Sequence, residues 1–320
     1  MALDLASAPT NLQLQSPLFG ILPGEIRNEI FELALMQEED NAEAYPEDSY
    51  WYRPGFAGPH KGSSALLRTC RLAYKEGQKV FLKNLEWAFW FDRGPEGRTT
   101  KDACERFFNN LTPQAAEALQ KVRFFTQMYW LERGQNTFYL FSLAKFRPTQ
   151  LTITIRYSDW WFWENDEPLR MHEDWLRYFR GSPGLRTLKV EYETLEWKKE
   201  EMMRIVRRNK AWKLPVRREG ARFEDHDLEG YLSAETTELK EWTWRGTSRL
   251  GGQTWNHHGA ADTVQYVVVM DTWRFVEGQL SESELEGRVA PWSKDRLASW
   301  SRLQMRGRAR YGGIAGRRVM

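Results

Sequence analysis

Leu151-Thr152-Ile153-Thr154-Ile155 and Leu185-Arg186-Thr187-Leu188-Lys189-Val190 are short runs of β-branched and aliphatic residues, the types that suit a pleated and buried surface. A third such run, Val122 to Tyr129, precedes them. Around these runs the apolar spacing changes to steps of three and four. That spacing predicts helices over Asp102 to Gln120 with a break at Pro113, Thr137 to Phe146, Glu167 to Arg180 and Glu196 to Arg208. The strands start at 122, 151 and 185, so a helix-and-strand unit recurs about every thirty residues. Parallel neighbours need a long connection and a helical crossover supplies it; the expected body is an open, mostly parallel α/β sheet.

The phrase from Leu185 also resembles the Leu-x-x-Leu-x-apolar strand of leucine-rich repeats, and Leu151 to Ile155 is a looser version. A short, degenerate leucine-rich-repeat-like body is therefore the alternative architecture. Lys210 to Asp227 is charged and without period. Leu239 to Trp244 and Val264 to Met270 read as further strands, the latter apolar enough to be buried on both faces. We assign this body to residues 96–290 and a basic Arg/Gly-rich tail to 291–320.

Residues 1–17 mix Ser, Pro, Asn and Gln with scattered Leu and read as a mobile lead-in. In Leu22-Pro23-Gly24-Glu25-Ile26-Arg27-Asn28-Glu29-Ile30-Phe31-Glu32-Leu33, apolar residues recur at 22, 26, 30 and 33, the spacing of one helical face. Pro23 suits a first turn, where its missing N–H has no intrahelical partner, and Glu25 complements the positive end of the helix. A long acidic and aromatic insertion occupies 37–62; loops of that length in a compact domain are uncommon and tend to be functional or disordered. A second helix is expected from Ser64 through Leu67, Cys70, Tyr74, Gly77 and Phe81. Lys83 to Phe91 then reads as a strand that closes a module over 18–95.

The pair Leu22-Pro23-x-Glu25-Ile26-Arg27-Asn28-x-Ile30-Phe31 and Leu66-Leu67-x-Thr69-Cys70-Arg71 resembles the F-box-like opening of a family of uncharacterised proteins of filamentous fungi. The resemblance covers residues 18–91 at most. It implies docking onto the Skp-type adaptor of a cullin ubiquitin ligase, with the rest of the chain selecting a target. Leu22, Pro23, Ile26, Ile30 and Leu33 are the partner-binding candidates, since a short amphipathic helix grips a groove through one apolar stripe.

Composition narrows the remaining classes. Apolar residues make up 41% and charged residues 28%, a globular balance. Cys70 and Cys104 are the only cysteines and have no CxxC spacing, so neither a disulfide framework nor a structural zinc site is expected, and the expected setting is a reducing one, cytoplasmic or nuclear. No run approaches the ~20 apolar residues of a membrane helix. Net charge is +2 but uneven: ten acidic and three basic residues lie in 1–63, against eight basic and one acidic in 294–320. The tail could bind nucleic acid without sequence preference through its Arg-Gly spacing, but a solubilising or fold-back tail is favoured.

Sixteen Trp, twelve Tyr and seventeen Phe supply large buried areas to a core or an interface. Trp160, Trp161 and Trp163, in the segment Arg156 to Glu167, follow a predicted strand at the edge where α/β sheets bind ligands. They are further partner-binding candidates, because Trp dominates binding hot spots. Asp159, Glu164 and Asp166 are the carboxylates that an enzyme reading would use there. His257 and His258 with Asp262 are the nearest approach to a metal cluster, and adjacent histidines point apart. Phosphate-loop, dinucleotide, zinc-protease and nucleophile-elbow motifs are absent. No catalytic residue, cofactor or metal ligand is assigned, and a non-enzymatic interaction protein is the expectation.

Overall fold

A computed structural model describes residues 9–221, 227–255, 262–281 and 284. It is a mixed α/β structure built on one eight-stranded sheet. After a π-helical turn over Pro17–Ile21, the chain enters α1 (Gly24–Ala34), leaves it through β1 (Gln37–Glu39), returns through β2 (His60–Gly62) and enters α2 (Arg71–Asn84). β1 and β2 pair antiparallel with Gln37 opposite Gly62, so the two ends of the insertion lie side by side. Cys70 caps α2, its Sγ accepting from the Ala73 N–H at 3.4 Å. Phe31, Leu35, Leu67 and Ala73 form a small core between the helices. Gly77 permits the close approach: a Cβ there would stand 2.6 Å from Leu67 Cδ2 and 2.8 Å from Phe31 Cδ1.

The body runs β3 (Glu86–Phe91), α3 (Lys101–Asn110), α4 (Pro113–Ala118), β4 (Lys121–Thr126), α5 (Met128–Glu132), α6 (Gln135–Ser142), β5 (Gln150–Ile155) and β6 (Thr187–Leu195). It continues with α7 (Lys199–Asn209), β7 (Lys213–Arg217), β8 (Leu228–Ser233), β9 (Lys240–Thr247), β10 (Arg249–Leu250), β11 (Gln253–Thr254) and β12 (Thr263–Glu277). β3, β4, β5 and β6 are parallel neighbours in that order. The strand at 86–91, assigned to the N-terminal module from sequence, is thus the first strand of the sheet.

Beyond β6 the direction reverses. β12 lies antiparallel to β6, Val269 opposite Tyr192, and its other edge takes β9 along Thr263–Met270 and β8 along Arg274–Glu277. β7 completes that side against β8. The parallel expectation therefore holds for four strands and is corrected for the rest, and the body is a sheet rather than a solenoid. Residues 234–239, between β8 and β9, leave the backbone ladder with β12, although Thr237 Oγ1 still donates to the Asp271 carboxylate of β12 at 3.1 Å. There the Lys210 ammonium donates to the carbonyls of Ala234 at 3.0 Å and Thr237 at 2.7 Å and sits 3.4 Å from the Asp271 carboxylate.

Two segments differ from their sequence reading for identifiable reasons. Glu167 to Arg180 holds only a 3-10 turn, Asp174–Tyr178. Its backbone N–H groups are taken by side chains elsewhere: Leu169 donates to Glu201 at 2.8 Å and His172 to Glu132 at 2.7 Å. Met171, Trp175 and Phe179 still recur at steps of four and are buried, which is what imitated a helix. β7 was hidden because Pro215 interrupts it; a proline is tolerated where a strand has a ladder on one side.

Strand alternation gives the sheet two unlike faces. Phe89, Phe124, Ile153, Val190 and Val269 face the helices and join one large apolar core with Phe108, Phe141, Trp175 and Val206. Glu86, Arg123, Thr154, Glu191 and Glu193 point the other way, beside Ala88, Trp90 and Phe125.

Candidate functional site

The first helix carries two apolar faces. At about 100° per residue, Ile26, Ile30 and Leu33 centre on one side of it and Phe31 and Leu35 on another, roughly 150° away, while Leu22 precedes the helix in extended backbone. Phe31 and Leu35 are buried against α2. The other stripe faces outward: Ile26 is 42% exposed and Leu33 72%, Pro23 is exposed, and Leu22 and Ile30 are half-buried. Ile21 and Met36, just outside the two ends of the helix, are exposed as well.

The motif residues around this stripe bind the two helices together. Arg27 makes a bidentate contact with Glu76 of α2, at 2.8 and 2.9 Å, and also donates to the Leu22 carbonyl at 2.8 Å. The hydrogen bond to Glu76 above all, with the charges of Glu76 and Glu25, holds the guanidinium above its ordinary pKa. Thr69 Oγ1 donates to the Leu66 carbonyl at 2.7 Å, closing the turn before Cys70.

The insertion at 37–62 covers the polar face of the sheet. Phe56 packs edge-on against Phe125 at 4.8 Å and Trp90 at 6.4 Å, and these rings with Ala88 form a separate apolar cluster. Arg53 reaches Glu191 at 3.3 Å and Glu193 at 3.7 Å. Arg123 bridges Glu86 at 2.8 Å and Glu191 at 2.7 Å, and Thr154 donates to Glu191 at 3.0 Å. Burial pushes the Glu191 carboxyl up, but Arg123 and Arg53 outweigh it and hold the group below its ordinary pKa. For Glu193 burial wins over Arg53, and its pKa is raised.

At the carboxyl ends of β5 and β6 a small cleft opens beside this network, lined by Tyr50, Arg156, Tyr157, Glu193, Trp244 and Tyr266 among others. Its volume of about 20 Å3 suits roughly one water. Trp244 Nε1 donates to Glu193 at 3.3 Å, and the Trp244 ring stacks on Tyr266 with centroids 4.1 Å apart. Burial raises the pKa of Tyr157 and of Tyr266, so both phenols stay protonated.

The segment 156–167 is drawn into the protein here. Asp159 is held bidentately by Arg156, at 2.7 and 2.9 Å, and Arg156 also donates to the carbonyls of Tyr50 and Arg93. Trp160 is buried and donates to the Glu193 carbonyl at 2.8 Å; Trp163 is buried edge-on to Tyr50 and Tyr157. These two tryptophans are core residues, which corrects their assignment as docking residues: their rings fill space between the insertion and the sheet. Trp161 is half-buried and donates to Glu132 at 2.8 Å, leaving Phe162 as the exposed aromatic of the segment.

His257, His258 and the tail 291–320 lie outside the described residues. Among those described, no group of three or more His, Cys, Asp or Glu is placed to hold a metal, and no helix is long and apolar enough to cross a membrane. Arg53, Arg123 and Glu193 went unremarked in the sequence. The signal was Lys189, Glu191 and Glu193 at every second position of a buried strand, which marks a polar face in need of a cover. No family model, curated protein or solved structure matches this chain.

Proposed function

We propose that this is a protein-binding adaptor whose first helix seats Leu22, Pro23, Ile26, Ile30 and Leu33 in the apolar groove of a Skp-type ligase adaptor, leaving the sheet domain to select a target. The outward stripe on α1 carries the reading: Phe31 and Leu35 supply the helix's contribution to the small core, and neither Ile26 nor Leu33 belongs to it. Closure of the insertion by the β1–β2 pair supports it as well, because the two motif helices stay adjacent across a long gap in sequence.

The test is capture of a purified Skp-type adaptor by the full chain, compared with Ile26→Asp and Leu33→Asp. Both positions are exposed, so both variants keep the wild-type circular dichroism. The expected result is capture by the wild type and loss of roughly tenfold or more in affinity for each variant. No capture by the wild type, or equal capture by both variants, rejects the reading.

A further inference from the structure

In the described part of the sheet, β9 is an edge strand with no strand on its outer side. Among the described residues its backbone partner is β12 alone, and its first four side chains, Lys240 to Thr243, are all exposed, with Trp242 at 37%. The far strands of the sheet are each partly covered, Thr99 bridging to Trp90 on β3 and Gly181 to Val216 on β7. Natural edges are protected by prolines, bulges or an overlying segment. β9 contains no proline, its register with β12 is unbroken, and among the described residues no backbone group pairs with its outer edge.

The sequence of this edge is complementary to itself. Lys240-Glu241-Trp242-Thr243-Trp244-Arg245-Gly246 has opposite charges two residues either side of Thr243 and a tryptophan one residue either side. Strand alternation puts Glu241 and Arg245 on one face and Trp242 and Trp244 on the other. A two-fold axis at Thr243 therefore sets Glu241 opposite the partner's Arg245 and Trp242 opposite the partner's Trp244, each pair occurring twice. Opposite charges and paired aromatics are the favourable cross-strand neighbours of an antiparallel ladder, and an isologous contact must be self-complementary in this way. Trp244 is already held flat on Tyr266, so half of each aromatic pair is ordered before contact.

We infer that a second copy of this chain occupies the edge, β9 pairing with the partner's β9 about Thr243 to make one continuous sheet across a symmetric dimer. A strand from an unrelated protein gives no reason for charges and rings of one strand to stand at equal distances from a single residue.

Sedimentation of the full 37.9 kDa chain over about 1 to 100 μM tests this. The wild type is expected to sediment as a dimer. Arg245→Glu places like charges opposite each other twice and is expected to raise the dimer dissociation constant about tenfold or more. Glu241 is ion-paired with Lys199 of its own chain, so the charge-reversed double variant Glu241→Arg with Arg245→Glu is made in a Lys199→Ala background; it restores the pairing across the axis and is expected to return within about threefold of the Lys199→Ala protein. Both sites are exposed, and circular dichroism checks that each variant is folded. A wild type that is monomeric throughout, a single variant as tight as wild type, or a double variant as weak as the single one would each overturn the assignment.

Discussion

The guanidinium of Arg53 stands 3.3 Å from the carboxylate of Glu191, with the two side chains 4% and 7% exposed. One residue comes from the middle of the insertion and the other from the middle of β6, so the contact fastens the long loop to the centre of the sheet. Phe56, three residues further on, packs into the adjoining aromatic cluster. The insertion is thus a structural cover for a face of the sheet that carries charge.

Arg53→Ala removes the cation shared by Glu191 and Glu193. Glu191 keeps Arg123, whereas Glu193 loses the charge nearest to it in a buried position. Breaking one side of a buried ionic contact costs about 3–5 kcal/mol, and we expect a loss in that range by urea denaturation. A loss below about 1 kcal/mol, the value of an exposed pair, would mean that the cover is held by Phe56 and its neighbours alone.

Stability should respond to pH in opposite senses at the two glutamates. The folded pKa of Glu193 lies above the ordinary 4.5, so its contribution is full below that value and is lost as pH rises through the folded pKa. Glu191 has a lowered folded pKa; its contribution is full above 4.5 and is lost as pH falls. Glu193→Gln keeps an acceptor for Trp244 and no longer titrates. It should therefore be at least as stable as wild type at about pH 8, with the advantage vanishing toward pH 4.5; denaturant midpoints at the two pH values measure this. A wild type that gains on the variant as pH rises contradicts the assignment.

The two faces of α1 should separate cleanly in stability. Phe31→Ala opens a cavity between α1 and α2 and should cost about 3–5 kcal/mol, whereas Leu33→Ala on the outward stripe should stay within about 0.5 kcal/mol. Thermal or urea unfolding of the two variants decides it. Equal losses would place Leu33 in a core that this arrangement does not contain.

Much of the scaffold was legible because local periodicity and burial coincide there. The break at Pro113 falls between α3 and α4, and the runs at 122, 151 and 185 become β4, β5 and β6. The reading failed where distant groups took over local bonding, as at Leu169 and His172, whose N–H groups serve glutamates far along the chain. The tryptophans at 160 and 163 failed for a related reason. An aromatic run reads the same whether it faces water or a neighbouring segment, and here Tyr50 of the insertion supplies the neighbour.

By itself, the sequence determined the parallel half of the sheet, the amphipathic helices and the presence of an apolar stripe on the first of them, because each follows from spacing within a few turns of chain. Only the tertiary structure decided that Phe31 rather than Ile26 turns inward, that the insertion lies over Glu191 and Glu193, and that β12 reverses the sheet. Those outcomes depend on pairings between residues tens to more than a hundred positions apart, and neither periodicity nor composition encodes which partner a buried charge or an open strand edge will meet.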